Sequence, residues 1–402
     1  MNRTLSISAI LFISASVACE PLPNGPDKTD SAGDVDASSY DVEAGDDSNA
    51  GNPSNTSDDD AEADGSSDSD GSSYTGEFQH DVDYGDTGDH DEPDDGFDRE
   101  PPSAERFAAL TDSVREQMTQ EYTVDASYYI YLVGEQGTIL NIPQGSMANA
   151  AGEYVTGRVD IELIELYDKG SMLVTDMPST GRNAAGEQAQ LISGGEHFID
   201  ASQDGEALEL VSEIQIDAPV ALTGDADPDM IRFRAINEDG DLAGRDDAAV
   251  WVEDDDKVNI GRAEGGTDGV QTTYQLLTAN FGWTNVDRWY SDPREKTTIQ
   301  VRPPVGWDDS NSAVYLSYDG EATALAGLDT WDDEDGLFSE HYGLIPVGLE
   351  VHVIFVTATD TGWAYDIQGT TIVADQEISF DDADALIDID TDGLVDVIND
   401  LP

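Results

Sequence analysis

Asp388, Asp390 and Asp392 stand at alternate positions and are followed by Gly393, Leu394 and Asp396. That is the order in which a loop of oxygen ligands closes on a calcium ion. Carboxylates at positions one, three and five would face the cation, and Gly393 would make the sharp turn at six. Leu394 would offer its carbonyl at seven, and Asp396 would take position nine. Position twelve is Asn399, which cannot chelate through two carboxylate oxygens, although Asp400 follows it. A solvated acidic tail accounts for the carboxylates, but not for the glycine or for apolar Val395 at position eight. Calcium at residues 388–400 is the only cofactor these residue types suggest.

Other catalytic chemistry is thinly supplied. Of five histidines, His80 and His90 fall in a polar, acidic stretch, and His197, His341 and His352 have no second ligand at metal spacing. Glu196 and His197 are neighbours in a strand pattern and must point to opposite faces. Ser193 precedes Gly194-Gly195 but lacks the Gly-x-Ser-x-Gly frame of a nucleophile elbow. No glycine-rich phosphate loop occurs. These residues therefore predict a protein that is not an enzyme. Trp283, Trp289 and Tyr290 are the ligand-binding candidates, with Trp307, Trp331 and Trp363 as further large rings. Exposed on a sheet, such rings stack on sugars; the alternative is that they pack in the core, where large aromatics usually lie. Arg288 is expected to pair with an acid other than adjacent Asp287, because strand neighbours diverge.

The elements that must position these groups are strands. In Gly157–Leu163, Val159, Ile161 and Leu163 alternate with Arg158, Asp160 and Glu162, the pattern of a sheet wet on one side. Strands are predicted at 128–133, 138–142, 155–166, 190–199, 208–216 and 231–236, and then at 272–281, 299–302, 313–318, 349–357, 363–367 and 370–378. Residues 282–290 read as a compact aromatic turn. Both faces of 349–357 are apolar, which predicts a central strand. Ser103 is a candidate N-cap for a helix reaching about Gln120, the only helix predicted. The fold class is thus all-β, with two β-sandwich domains of Ig-like or Greek-key type. The first is expected at 103–252 and the second at 270–380, separated by a polar stretch at 253–269, with an acidic tail at 381–402.

Residues 1–18 have the layout of an export signal, with Arg3 ahead of a short apolar core. Residues 19–102 have the composition of a disordered acidic linker: positions 20–103 carry 27 acidic and 2 basic side chains. The whole chain has a net charge of −70, so the remainder is strongly acidic as well. Such a charge disfavours nucleic acid and anionic lipid as partners, since both are bound through Lys and Arg. A saline habitat and a generally acidic exported proteome explain it equally. Cys19 is the only cysteine, so no intramolecular disulfide forms.

Cys19, preceded by Ser16-Val17-Ala18, resembles the acylated cysteine of bacterial lipoproteins, departing at Ser16, where a Leu-like residue is usual. That resemblance implies a membrane attachment through a lipid at Cys19; without it the chain would be secreted. The tail at 388–400 resembles EF-hand and dockerin loops. The blocks Gly137–Ser146 and Gly157–Leu163 resemble the β-sandwich domain of zonula occludens proteins, netrin receptors and ankyrins. With Ser193-Gly194-Gly195-Glu196 and Phe281–Arg288 they are more similar still to a group of uncharacterised exported bacterial lipoproteins. A cysteine is expected at Val286 in those relatives, so any thiol role is lost here. The resemblance implies a sandwich fold at the cell envelope and supplies no catalytic residue. The function expected is binding or structural, toward a protein or envelope partner, with a carbohydrate ligand bound by exposed Trp and Tyr as the alternative and an enzyme as the second alternative.

Overall fold

The computed structural model describes residues 99–183, 186–237, 239–264, 269–340 and 343–402, and of Asp255 and Asp256 only the backbone. The export signal, Cys19, the linker through residue 98 and His341 lie outside the described residues. The fold is all-β: strands dominate, joined by three α-helices.

The strand Arg158–Leu166 lies where the alternation places it, with Val159, Ile161 and Leu163 buried and Arg158 and Asp160 exposed. It pairs antiparallel with Gln120–Asp125 on one side and with the long strand Gln188–Gln203 on the other. Gly282–Trp289, Ile231–Ile236, Val250–Lys257 and Thr180–Arg182 continue this eight-stranded sheet. Opposite it lies a five-stranded sheet in the order Asn259–Glu264, Val270–Thr278, Ile214–Pro219, Ile139–Ile142 and Ile130–Val133. Leu140, Ile142, Ile161, Leu163, Ile216 and Leu276 fill the space between the two sheets. Each such side chain contributes about 1.5–3 kcal/mol by leaving water.

Two expectations are corrected here. The stretch expected to separate domains holds strands through residue 264: Val250–Lys257 and Asn259–Glu264 belong to the two facing sheets. The segment 282–290 is no turn. Gly282–Trp289 is an interior strand between Gln188–Gln203 and Ile231–Ile236, so the first sandwich runs to Trp289 rather than to residue 252. Its Trp283 and Trp289 belong to the cluster between the sandwiches, and Gly282, at φ +108°, opens the strand.

The second sandwich has a four-stranded sheet in the order Thr330–Asp332, Leu337–Ser339, Ile299–Arg302 and Gln376–Ser379, the last pair parallel. Its five-stranded partner runs Leu325–Gly327, Ser312–Tyr318, Glu350–Ala358, Trp363–Thr371, Ile387–Ile389. Glu350–Ala358 is central, as its two apolar faces require. Val351, Val353 and Phe355 enter the core between these sheets. Ile354 and Val356 face the other way.

That other way leads to the first sandwich. Ile354, Val356, Tyr315 and Trp363 join Ile164, Leu166, Phe198, Phe233, Trp251 and Trp283 in a single cluster. The two inner sheets are therefore covered on both faces, and the sandwiches share a middle core. The helices lie in this seam. Helix α1 (Ala104–Met118) starts at Ser103, whose side chain accepts from Arg106 N, as predicted. Its buried Arg115 donates from Nε to Thr175 O at 2.7 Å, and Phe107 meets Trp363 edge-on at 6.2 Å. Two helices were not predicted, α2 (Lys169–Val174) and α3 (Thr391–Asn399). The folded part begins by Arg99 rather than Ser103, since Arg99 pairs with Asp388 at 2.6 Å and its guanidinium donates to Leu386 O at 3.2 Å.

Candidate functional site

The calcium loop expected at 388–400 is not formed. Asp390 caps α3, its Oδ1 accepting from Gly393 N at 2.9 Å. From Thr391 onward the chain is helical, so the Leu394 carbonyl points along the helix instead of into a loop, and the Leu394 and Ile398 side chains are buried. The physical reason is amphipathicity: Leu394, Val395 and Ile398 recur at helical spacing, and their burial against α2 outweighs any loop conformation. Asn399, cast as position twelve, joins the helices: its Oδ1 accepts from Gly170 N at 2.8 Å and its Nδ2 donates to Asp168 Oδ1 at 2.8 Å. Gly170 is required there, because a Cβ would lie 2.5 Å from Val395 O. Asp388 answers Arg99, and Asp392, Asp396 and Asp400 are not drawn together; among the described residues no group of three or more His, Cys, Asp or Glu could hold a metal.

The aromatic platform is dispersed as well. Trp283 is buried against Phe198 and Trp251, and its Nε1 donates to Gly244 O at 3.1 Å. Trp289 packs edge-on to Phe233, and Tyr290 edge-on to Tyr318 in the second sandwich. Trp307 and Trp363 are buried, and each donates to a threonine hydroxyl. These rings hold the seam and the cores. Arg288 pairs with Asp227 at 2.7 Å, an acid remote in sequence, as expected.

What the sequence blocks do bring together is a buried polar centre. Ser193-Gly194-Gly195-Glu196 and the Asn285–Asp287 stretch lie on adjacent antiparallel strands, with Glu196 opposite Asn285 and Ser193 opposite Asp287. All four polar side chains are fully buried. Asn285 Nδ2 donates to Glu196 Oε1 at 3.2 Å and to Asp287 Oδ2 at 2.6 Å, and Ser193 Oγ donates to Asn285 Oδ1 at 3.0 Å. Among the described residues, Glu196 Oε2 and Asp287 Oδ1 have no hydrogen-bond partner. Burial pushes both carboxyls well above the usual range, and the neighbouring Asp287 charge pushes Glu196 further. Two carboxylates in a dry site cannot both stay ionised, so the pair holds a proton. The centre faces the second sandwich, where Thr323 Oγ1 donates to Ser193 O at 2.7 Å.

His197 points to the opposite face, as its neighbour relation to Glu196 demands. Its Nε2 meets the Tyr167 hydroxyl at 2.8 Å, and that hydroxyl meets Thr138 Oγ1 at 2.6 Å. Burial holds the imidazole neutral, with its pKa lowered to about 4 despite the Glu165 charge. Gly195 has φ +128°, and a Cβ on it would stand 2.4 Å from the Tyr167 ring. Gly195 thus lets Tyr167 close on His197, while Gly194 lets the strand approach Val286 O and Tyr274. Glu196 and His197 are both at 0% exposure. His352 lies elsewhere, its Nδ1 2.8 Å from Asp319 Oδ1.

An accessible polar site carrying exposed aromatic rings lies on the outer face of the five-stranded sheet. Tyr129 and Tyr131 are 58% and 50% exposed, two residues apart and so on one face. The Tyr129 hydroxyl donates to Asn141 Oδ1 at 2.8 Å, and the Tyr131 hydroxyl donates to the Glu264 carbonyl. Asn141 Nδ2 donates to Asp217 Oδ2 at 2.6 Å, and Gln215 Nε2 donates to Asp217 Oδ1 at 2.9 Å. These groups line a shallow groove of about 400 Å³. A larger cleft of about 680 Å³ lies in the seam, where the Tyr315 hydroxyl donates to Asp176 Oδ1 at 2.6 Å.

The sequence reading passed over this face. Its signals are the run Tyr128-Tyr129-Ile130-Tyr131 and three polar residues, Asn141, Gln215 and Asp217, set among the apolar residues of two strands. In comparisons with known proteins, no family model matches the chain and no curated protein matches it.

Proposed function

We propose that this chain is an exported envelope protein, lipid-anchored at Cys19 and carried on an acidic spacer, that binds a partner without catalysing a reaction. Its resemblance to exported bacterial lipoproteins supports the location, and nucleic acid is no partner of so acidic a surface. The observation that carries the binding role is the outer face of the five-stranded sheet, where Tyr129 and Tyr131 stand exposed with their hydroxyls fixed. Aromatic rings held rigidly on a strand give contact area at small entropic cost. The buried Glu196–Asp287 centre serves the fold beneath this role.

Two measurements test the reading. An alkyne fatty acid supplied to cells should label the wild-type protein and spare Cys19→Ala; equal release of both proteins into the medium would sink the anchor. The secreted Cys19→Ala protein should bind isolated cell envelopes, and the added pair Tyr129→Ala/Tyr131→Ala should reduce that binding at least tenfold while leaving the thermal midpoint in place.

A further inference from the structure

We infer that the tyrosine face of the five-stranded sheet takes an uncharged, hydroxyl-rich ligand, an oligosaccharide. This deepens the proposed binding role and rests on it. Three observations carry the ligand class, beginning with the aromatic surface. Tyr129 and Tyr131 have their hydroxyls tied down by Asn141 and the Glu264 carbonyl, so their exposed surface is mainly ring. An apolar ring face suits the C–H face of a pyranose.

The second observation is the polar chain beside the rings. Asp217 is only 2% exposed, and its two oxygens accept from Asn141 and Gln215. It therefore orients both amides without meeting a ligand itself. An amide nitrogen has two protons, and each of these amides has one committed to Asp217, leaving the second proton for a hydroxyl oxygen. Planar donors fixed at a sheet surface match hydroxyls spaced around a sugar ring.

The third observation is charge. The groove is lined by Asp217 and Glu264 against the single cation Arg262, on a chain of net charge −70. Sulfated, phosphorylated or uronate chains are repelled by that balance. A protein partner would need apolar anchors in desolvated pockets, whereas among the described residues Ala263 is the sole aliphatic one lining this groove.

The test uses the full chain carrying Cys19→Ala with cellohexaose, maltohexaose and mannohexaose as uncharged probes, and a sulfated maltohexaose as the charged control. At least one uncharged hexamer should bind, with affinity reduced tenfold or more by Tyr131→Ala and also by Asn141→Ala, and the sulfated hexamer should bind more weakly. Preference for the sulfated hexamer overturns the inference. So does failure of every hexamer when envelope binding survives periodate oxidation of the envelopes yet still requires Tyr131; the face then stands and its ligand is not a glycan. Envelope or hexamer binding indifferent to Tyr129→Ala/Tyr131→Ala overturns the face itself. Failure to bind either hexamers or envelopes overturns both.

Discussion

Glu196 and Asp287 share one donor: the Asn285 amide nitrogen reaches the first at 3.2 Å and the second at 2.6 Å, inside a fully buried site. Each also has one oxygen without a hydrogen-bond partner among the described residues. An unpaired oxygen of that kind is tolerated when the carboxyl is protonated and its charge is gone.

The pair should therefore weaken the fold in alkali. Both carboxyls titrate above their unfolded values. The stability they confer is complete below those unfolded values, near pH 4, and is lost as pH rises through the folded ones. Glu196→Gln removes the proton requirement. Between pH 5 and pH 8, urea denaturation should show the variant gaining about 1–3 kcal/mol relative to wild type. A constant difference across that range would contradict the shared proton.

His197 should behave in the opposite sense. Its folded pKa is lowered to about 4, so the stability of the neutral ring is present above the unfolded value near 6.5 and is lost as pH falls toward 4. The His197 ring resonances in the NMR spectrum should stay fixed from pH 8 to pH 5.5. A midpoint near 6.5 would mean that water reaches the ring beside Tyr167.

Asp390→Ala should lower stability by about 1 kcal/mol through the lost helix cap, equally in calcium and in chelator. Leu394→Ala should cost about 2–5 kcal/mol, as for a buried leucine. Stability that rises with added calcium in the wild type alone would restore the loop reading of this segment.

The shared middle core predicts one unfolding transition for residues 99–402. Trp363→Ala removes a ring that meets α1 of the seam, and should shift the whole transition by about 3–5 kcal/mol. A fragment ending at residue 252 should fail to fold, because it lacks the interior strand Gly282–Trp289. A folded 99–252 fragment would restore the boundary first expected.

Local periodicity made much of this legible. The alternation at Val159, Ile161 and Leu163, the doubly apolar 349–357 and the Ser103 cap each report a local preference that the tertiary structure keeps. The errors arose where the decisive contact is remote. Gly282–Trp289 reads as a turn until strands on both sides and the second sandwich cover its aromatic residues. Asp388–Asp396 matches a calcium loop because side-chain type and spacing alone do not say that α2 waits to bury Leu394 and Ile398. The tyrosine face is not legible in the sequence because its network joins Tyr129, just ahead of Ile130–Val133, to Asn141 and Asp217 on two other strands.

The order in which the paired strands are made has its own consequence. Asn285 follows Glu196 by 89 residues, so Gln188–Gln203 is synthesised long before the neighbour that completes its ladder. At about 5–20 residues per second that interval is roughly 4–18 s. During it the long strand has an open edge, the usual starting point for misassembly. Glu196 sits in the middle of that edge, and in water it is ionised. An intruding strand must strip the solvent from a carboxylate, whereas the proper one arrives with Asn285.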